Sequence, residues 1–404
     1  MTALKGLKVI DMTHIMAGPA CTLMLADMGA DVIKVEKVPG GDDTRRSVPP
    51  QIGDQAASFL MMNRDKRGIA VNLRSDGGKE VLRRLLKEAD VLVENYRRQT
   101  LPKLGFDYES LRQENPRLIY CAISGFGRTG PYADRGGFDL VAQAMSGIMS
   151  ITGTSRNEPP VKCGPPLTDI TAGLLAVIGI LAALRNRETT GKGQMVETSL
   201  LEAGIIHTYW QSAMAMATGE APGPMGSAHP LSAPYQAFET SDGWIVVGGA
   251  NQANWLRLVQ VLEAPHLAED LRFKTNADRM TNLSALESEL NACFRQRSSA
   301  EWLARLEAAG VPSGPVNDVV EMHEDPQVQA REMVMEVPHT TLGSVRTLGL
   351  PIKFSDTPGG PRRGAPLLGE HTREVLAEHG FAPQEIDQLV TEGAVIAADI
   401  PRRG

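Results

Sequence analysis

The chain is short of cysteine, of long apolar runs and of positive charge, and each shortage removes a class of protein. Only four cysteines occur in 404 residues, Cys21, Cys121, Cys163 and Cys293. They form no CxxC pair and have no histidine at zinc-ligand spacing, so neither a disulfide framework nor a structural zinc is expected. Free thiols in a reducing cytoplasm are the expectation. The eight histidines are isolated from one another, and no bound metal is expected. The longest apolar stretch, Ile170 to Leu184, is broken by Thr171, Gly173 and Gly179. It falls short of the ~20 residues that cross a bilayer, so no membrane partner is expected. Met1 to Leu7 has no signal-peptide core. Net charge is −7, which speaks against nucleic acid. Glycine fingerprints are missing too. Thr13 to Pro19 contains only Gly18, too few for a dinucleotide-phosphate turn. The Gly-Lys within Thr190–Ser199 lacks Walker spacing.

What is present is a chain long enough for one to three domains and a large core. The charge is uneven: residues 1–104 carry 17 Lys+Arg against 13 Asp+Glu, and the remainder 24 against 35. The positive segment reads either as an ordinary solvated surface or as a site for a phosphorylated ligand. Apolar runs of strand length alternate with helical patterns through the first half. Strands are expected at Leu7–Asp11, Asp31–Glu36, Ile69–Leu73, Val91–Glu94 and Leu118–Ser124. Helices are expected at Ala17–Met28, Gly77–Glu88 and around Tyr108–Gln113. That alternation predicts an α/β fold with a parallel sheet covered on both faces. Ligands on such sheets sit beyond the carboxyl ends of the strands. Those ends are Met12–Ala17, Lys37–Gly41, Asn95–Arg98 and Gly125–Gly127.

A long helix is expected from about Asp169 to Arg187, then a strand Gln194–Thr198 and a second long helix Ser199–Thr218. Residues 1–218 form the N-terminal part of a large domain, and the Gly/Pro-rich stretch 219–234 reads as a linker. A small α+β domain follows at 235–330. Residues 331–404 are expected to return to the large domain through a second Pro/Gly-rich run, Pro338–Pro366, and a polar helical tail.

Asp169 stands just before the apolar helix, after Gly164-Pro165-Pro166-Leu167-Thr168. A carboxylate there is ordinarily a helix cap. The same place keeps a carboxylate ionised beside a helix N-terminus, where it serves as a nucleophile without a separate base. Gly248-Gly249-Ala250-Asn251-Gln252 follows the strand Trp244–Val247, and reads either as a plain turn or as a mobile loop that approaches a ligand closely.

Taken in order, many blocks of this sequence resemble the class III CoA-transferases. They include Leu4–Asp11, His14-Ile15-Met16-Ala17-Gly18-Pro19, Gly29–Glu36, Asn63–Gly68 and Val93-Glu94-Asn95-Tyr96. The match continues through Leu104-Gly105-Phe106, Thr168-Asp169, Thr190-Gly191-Lys192-Gly193-Gln194, Gly310-Val311-Pro312 and Pro366-Leu367-Leu368-Gly369. The resemblance implies a Rossmann-like large domain with a smaller α+β domain, in a ring-like homodimer whose chains interlock. It implies Asp169 as nucleophile, with Gly248 and Gly249 in a catalytic lid. It also implies coenzyme A, as substrate rather than resident cofactor, held by His14, Ile15, Ala17, Lys37, Val71, Leu73, Arg74, Asn95, Tyr96, Lys103 and Phe138. The partners expected are an acyl-CoA, a small carboxylate and a second copy of the chain.

The rival on the same fold is an α-methylacyl-CoA racemase, which needs a histidine in a Gly-His-Asp motif. Here Gly137-Phe138-Asp139 stands in its place, and phenylalanine carries no proton. A non-catalytic acyl-CoA-binding paralogue needs neither Asp169 nor the glycine loop. Formyl-CoA transferases place Gln where this chain has Met16. The spacing from Tyr132 to Asp139 looks closer to dicarboxylate enzymes, so succinyl-CoA with glutarate or a similar diacid is the expected pair.

Overall fold

The computed structural model describes residues 2–399, which divide into two units. The first comprises the described parts of 1–148, 163–208 and 326–404; the second is 149–162 with 209–325. In the first unit seven strands form one sheet. Its order is Val395–Ile396, Arg67–Val71, Asp31–Lys37, Lys8–Asp11, Val91–Glu94, Ile119–Ser124 and Met195–Ser199. All neighbours pair in parallel except the Val395–Ile396 edge, which pairs antiparallel to Arg67–Val71.

The central strands are apolar on both faces, as a doubly covered sheet requires. Ile10, Ile33, Val35, Leu92 and Tyr120 enter one core with Val81, Leu82 and Leu85 of the helix Asp76–Glu88. Val9, Val32, Val91, Val93 and Cys121 point the other way, into a core shared with the helices Ala17–Asp27 and Leu167–Thr190. These two helices pack closely because small residues meet: a Cβ on Gly173 would lie 2.6 Å from the Ala17 carbonyl oxygen. The Leu167–Thr190 helix has the length and composition of a membrane span. Ala172, Ala176, Val177, Ile180 and Ala183 nevertheless bury one side of it in the sheet domain, so we read it as a core helix.

One expected helix needs correction. The Ser199–Thr218 pattern is not one helix but Leu200–Ile205, a tight turn at Ile206–Thr208, and Tyr209–Thr218, which belongs to the second unit. Residues 331–404 are more regular than their composition suggests. Val334–His339 and Gly343–Leu348 form a hairpin inside the Pro/Gly-rich stretch, with Val337 and Val345 packed on Phe59 and Leu60. The tail adds the edge strand after the helices Thr372–Glu378 and Pro383–Thr391. Arg67 ties this return to the sheet through Asp31, Glu374 and Glu378.

The second unit carries a three-stranded antiparallel sheet, Ser313–Pro315, Trp244–Gly248 and Tyr235–Glu239. Helices cover it around Phe238, Trp255, Phe294 and Trp302. Residues 149–162 belong here, whereas the composition had grouped them with the large domain.

Candidate active site

The first strand ends at Asp11, and a loop must then turn the chain into the helix at Ala17. Ile15 makes that turn at φ 69°, a left-handed conformation that is costly for a β-branched residue and persists only if its surroundings enforce it. Asn95 enforces it from the next strand end, accepting from the His14 N–H at 3.0 Å and donating to the His14 carbonyl at 2.8 Å. Asp42 accepts from the Ile15 N–H at 3.2 Å. The Lys34 ammonium donates to the Thr13 carbonyl at 2.9 Å and pairs with Asp42 at 2.9 Å.

Beneath the loop lies a buried charge network. Asp11 meets Lys66 at 3.0 Å and accepts from the Thr13 and Thr22 hydroxyls. Burial alone would raise the Asp11 carboxyl, but Lys66 and Lys34 hold it well below the usual range. Burial has the upper hand at Lys66, whose ammonium is lowered to about 8 despite Asp11. Met16 supplies no capping side chain to the helix that follows. The first-turn N–H groups of Ala17 and Gly18 have no hydrogen-bond partner among the described residues, while Pro19 has none to satisfy.

This loop forms one wall of a cavity of about 340 Å³ at the carboxyl ends of the strands. Asn95, Tyr96, Arg97, Arg98, Ser124, Gly125, Asp134 to Phe138, and Asp169 complete much of the rest. Gly125 and Gly137 allow two loops to touch, since a Cβ on Gly137 would lie 2.4 Å from the Gly125 Cα. Tyr96 is placed by Glu94, which accepts from its N–H at 2.8 Å and pairs with Arg128 at 2.7 Å. The His14 and Tyr96 rings meet edge-on at 5.1 Å. Burial lowers the His14 imidazole and raises the Tyr96 phenol to about 12, so both are neutral near pH 7. The positive charge facing the cavity comes from Arg97, Arg98 and Arg135. The Arg135 guanidinium lies over the rings of Tyr132 and Phe126 at 4.5 and 5.2 Å.

Asp169 occupies the first turn of the Leu167–Thr190 helix, yet it does not cap it. Its carboxylate has no hydrogen-bond or ion-pair partner among the described residues. Burial, and secondarily the nearby Asp139, push its carboxyl up to about 6. The cap is Asp139 instead, whose Oδ1 accepts from the Thr168 N–H at 3.0 Å and the Thr168 hydroxyl at 2.8 Å. A carboxylate that is ionised near neutral pH, half-buried and unbonded is a competent nucleophile toward an activated carbonyl.

The structure thus brings together His14, Ile15, Ala17, Asn95, Tyr96, Phe138 and Asp169 around one cavity. Asn95 is committed to holding the loop rather than open to a ligand. Lys37, Val71, Leu73, Arg74 and Lys103 do not line the cavity. Lys37 is exposed and bonded to Asp43 at 2.8 Å. Arg74 and Lys103 are exposed, and Leu73 packs on the core. Val71 is 1% exposed and paired on both sides, to Lys37 and Val395. Gly248 and Gly249 belong to the second unit, where Gly248 donates to the Pro312 carbonyl at 2.8 Å. A Cβ on Gly249 would lie 3.0 Å from a Leu258 methyl.

Sequence reasoning did not single out Asp139, the Asp11–Lys34–Lys66–Asp42 network, or Arg135. The one legible signal was Lys34 standing amid apolar strand residues in Asp-Val-Ile-Lys-Val-Glu-Lys.

Comparison with known proteins agrees with this geometry. The profile of CoA-transferase family III matches residues 4–372. The chain is 37% identical to the human succinyl-CoA:glutarate CoA-transferase over 393 residues, covering 97% of this chain and 90% of that one. It is 41% identical to the acetyl-CoA:oxalate CoA-transferase of Acetobacter aceti, covering 94% and 96%. A CAIB/BAIF family protein from Brucella suis superposes with a TM-score of 0.84 at 42% identity, covering 94% of this chain and 99% of that one. The chain therefore belongs to CoA-transferase family III and is a class III CoA-transferase.

Proposed function

We propose that the enzyme moves CoA from succinyl-CoA or a similar short acyl-CoA to a C4–C6 dicarboxylate through covalent intermediates on Asp169. The observation that carries this reading is the unpartnered Asp169 carboxylate on the wall of the cavity that also bears His14, Ala17 and Tyr96. An Asp169 oxygen attacks the donor thioester carbonyl, and the C–S bond breaks to give a mixed anhydride and CoA thiolate. The thiolate attacks the aspartyl carbonyl, forming an aspartyl-CoA thioester and releasing the donor as its carboxylate. The acceptor carboxylate attacks that thioester, and the expelled thiolate then takes the acceptor's acyl group. Asp169 is thereby regenerated as a carboxylate.

Every step passes through an oxyanion, and the free N–H of Ala17 is the donor we assign to it. Arg97, Arg98 and Arg135 supply the positive charge for a substrate bearing extra carboxylate or phosphate groups. Lys37, Arg74 and Lys103 are proposed to meet the distal phosphates of CoA from outside the cavity.

Ile170, Leu174 and Ile178 recur every four residues on the helix behind Asp169 and are 37%, 40% and 63% exposed. A stripe of that kind supports burial against a second copy, and hence the homodimer. The four free cysteines suit a cytoplasmic location.

The test is an exchange assay over a panel of acyl-CoA donors and mono- and dicarboxylate acceptors, with Asp169→Ala as control. We expect dicarboxylates to be preferred, and the variant to bind CoA without turning over. Wild-type exchange by Asp169→Ala would sink the proposal.

A further inference from the structure

The reading of Asp169 leaves a question in the local geometry. A helix N-terminus presents several unsatisfied N–H groups, and an aspartate in its first turn is a natural partner for them. If Asp169 were drawn into that role, its oxygens would be turned onto the helix and weakened as nucleophiles. Three features prevent this. Pro166, the residue preceding the helix, has no N–H for a first-turn carboxylate to reach back to. The Leu167 N–H is taken by the Pro165 carbonyl at 2.8 Å. The Thr168 N–H and hydroxyl are taken by Asp139, at 3.0 and 2.8 Å.

Asp139 is itself well held. Its second oxygen accepts from the Gln143 amide at 2.7 Å, and Gln143 accepts in turn from the Cys163 N–H at 2.9 Å. Two carboxylates thus share one helix terminus in opposite circumstances: Asp139 receives three donated bonds, Asp169 none. Neighbouring carboxylates held in unequal environments take different tasks.

We propose that Asp139 is a positioning residue for Asp169. It caps the Leu167–Thr190 helix in place of Asp169, leaves that carboxylate unbonded at the cavity wall, and keeps a second negative charge behind it. This rests on the assignment of Asp169 as nucleophile.

The other charged and titratable groups on the surrounding elements are accounted for. His14 and Tyr96 are neutral near pH 7, and Cys21 is a buried thiol on the packed Ala17–Asp27 helix. Glu202 accepts from the Ser199 hydroxyl at 2.7 Å, and the His207 ring is bonded to the Thr171 hydroxyl at 2.8 Å. Arg97, Arg98, Asp134 and Arg135 line the same cavity. Among all of these, Asp139 is the charge that acts on Asp169 after burial itself.

The test compares Asp139→Asn and Asp139→Glu in the full-length enzyme. Three readouts are taken: the pH profile of kcat/KM for CoA exchange, the rate of acyl adduct formation at Asp169, and thermal unfolding. Asn keeps an acceptor for Thr168 but removes the charge, so the acidic limb should move down by about half a pH unit or more. Glu keeps the charge but displaces the cap, so the limb should stay in place while kcat falls about tenfold. A folded Asp139→Asn enzyme with the wild-type limb, or with a limb moved upward, overturns the proposal. If Asp139→Asn does not fold, Thr168→Val decides. Loss of one capping bond should slow adduct formation with KM for acyl-CoA unchanged, and an unaltered rate overturns the proposal. Absence of any adduct in the wild type would defeat the nucleophile assignment itself. A wild-type adduct with no response at Asp139 would defeat only the positioning role.

Discussion

Replacing Asp169 by asparagine should stabilise the protein at neutral and alkaline pH while abolishing its activity. In the folded chain the carboxyl is pushed from its ordinary 3.8 up to about 6, first by burial and then by Asp139. Below pH 3.8 it is neutral whether the chain is folded or not, and nothing is lost. As pH rises toward about 6 the unfolded chain releases the proton and the folded chain resists. Above that, the native state carries an unfavourable charge in full. A displacement of about two units corresponds to about 3 kcal/mol at 1.36 kcal/mol per unit. Asp169 is only half-buried, and solvent screening brings the expected gain in Asp169→Asn to about 1–2 kcal/mol. Urea unfolding of both proteins at pH 8 and at pH 3.8 would measure it. The curves should separate at pH 8 and converge at pH 3.8. Equal stability at pH 8, or a gain that persists in acid, would show that the native site does not strain this carboxylate.

Four further outcomes follow from the same geometry. The acidic limb of kcat/KM for the wild type should fall near pH 6, because the nucleophile must be ionised; a profile flat down to pH 4.5 would contradict this. Asn95→Ala should lose both bonds to the His14 backbone and raise KM for acyl-CoA about tenfold, with a stability cost of about 1–3 kcal/mol measured by thermal unfolding. Gly137→Ala should cut activity strongly, because the new Cβ meets the Gly125 backbone; steady-state kinetics would show it. Lys34→Met should cost about 3–5 kcal/mol in urea unfolding by leaving the buried Asp42 carboxylate without its ion-pair partner.

Much of the sheet domain was legible because its signals are local. Val91–Glu94 and Ile119–Ser124 are short apolar runs bounded by polar residues, and the helix Asp76–Glu88 shows its buried face at regular spacing. The edge strand Val395–Ile396 was not legible. Two residues carry no periodicity, and their pairing with Arg67–Val71 spans most of the chain. The break at Ile206–Thr208 was hidden because it is three residues long and neither Gly nor Pro falls within it.

In the site, Asp169 and the first loop stood out through family resemblance, while their supports did not. Asp139 reads as an ordinary first-turn aspartate of its own short helix, and its bond to Thr168 spans 29 residues. The Ile15 conformation likewise depends on Asp42 and Asn95, which no spacing rule links to it.

The central claim is that oxygen passes through the Asp169 side chain during turnover. In the sequence of attacks set out above, each cycle leaves one acceptor oxygen in the regenerated carboxylate. Turnover with acceptor bearing heavy oxygen in its carboxylates, followed by peptide mass spectrometry, reads this directly. The account predicts label in the peptide containing Asp169 and nowhere else in the chain. Product formation with that peptide unlabelled would contradict it.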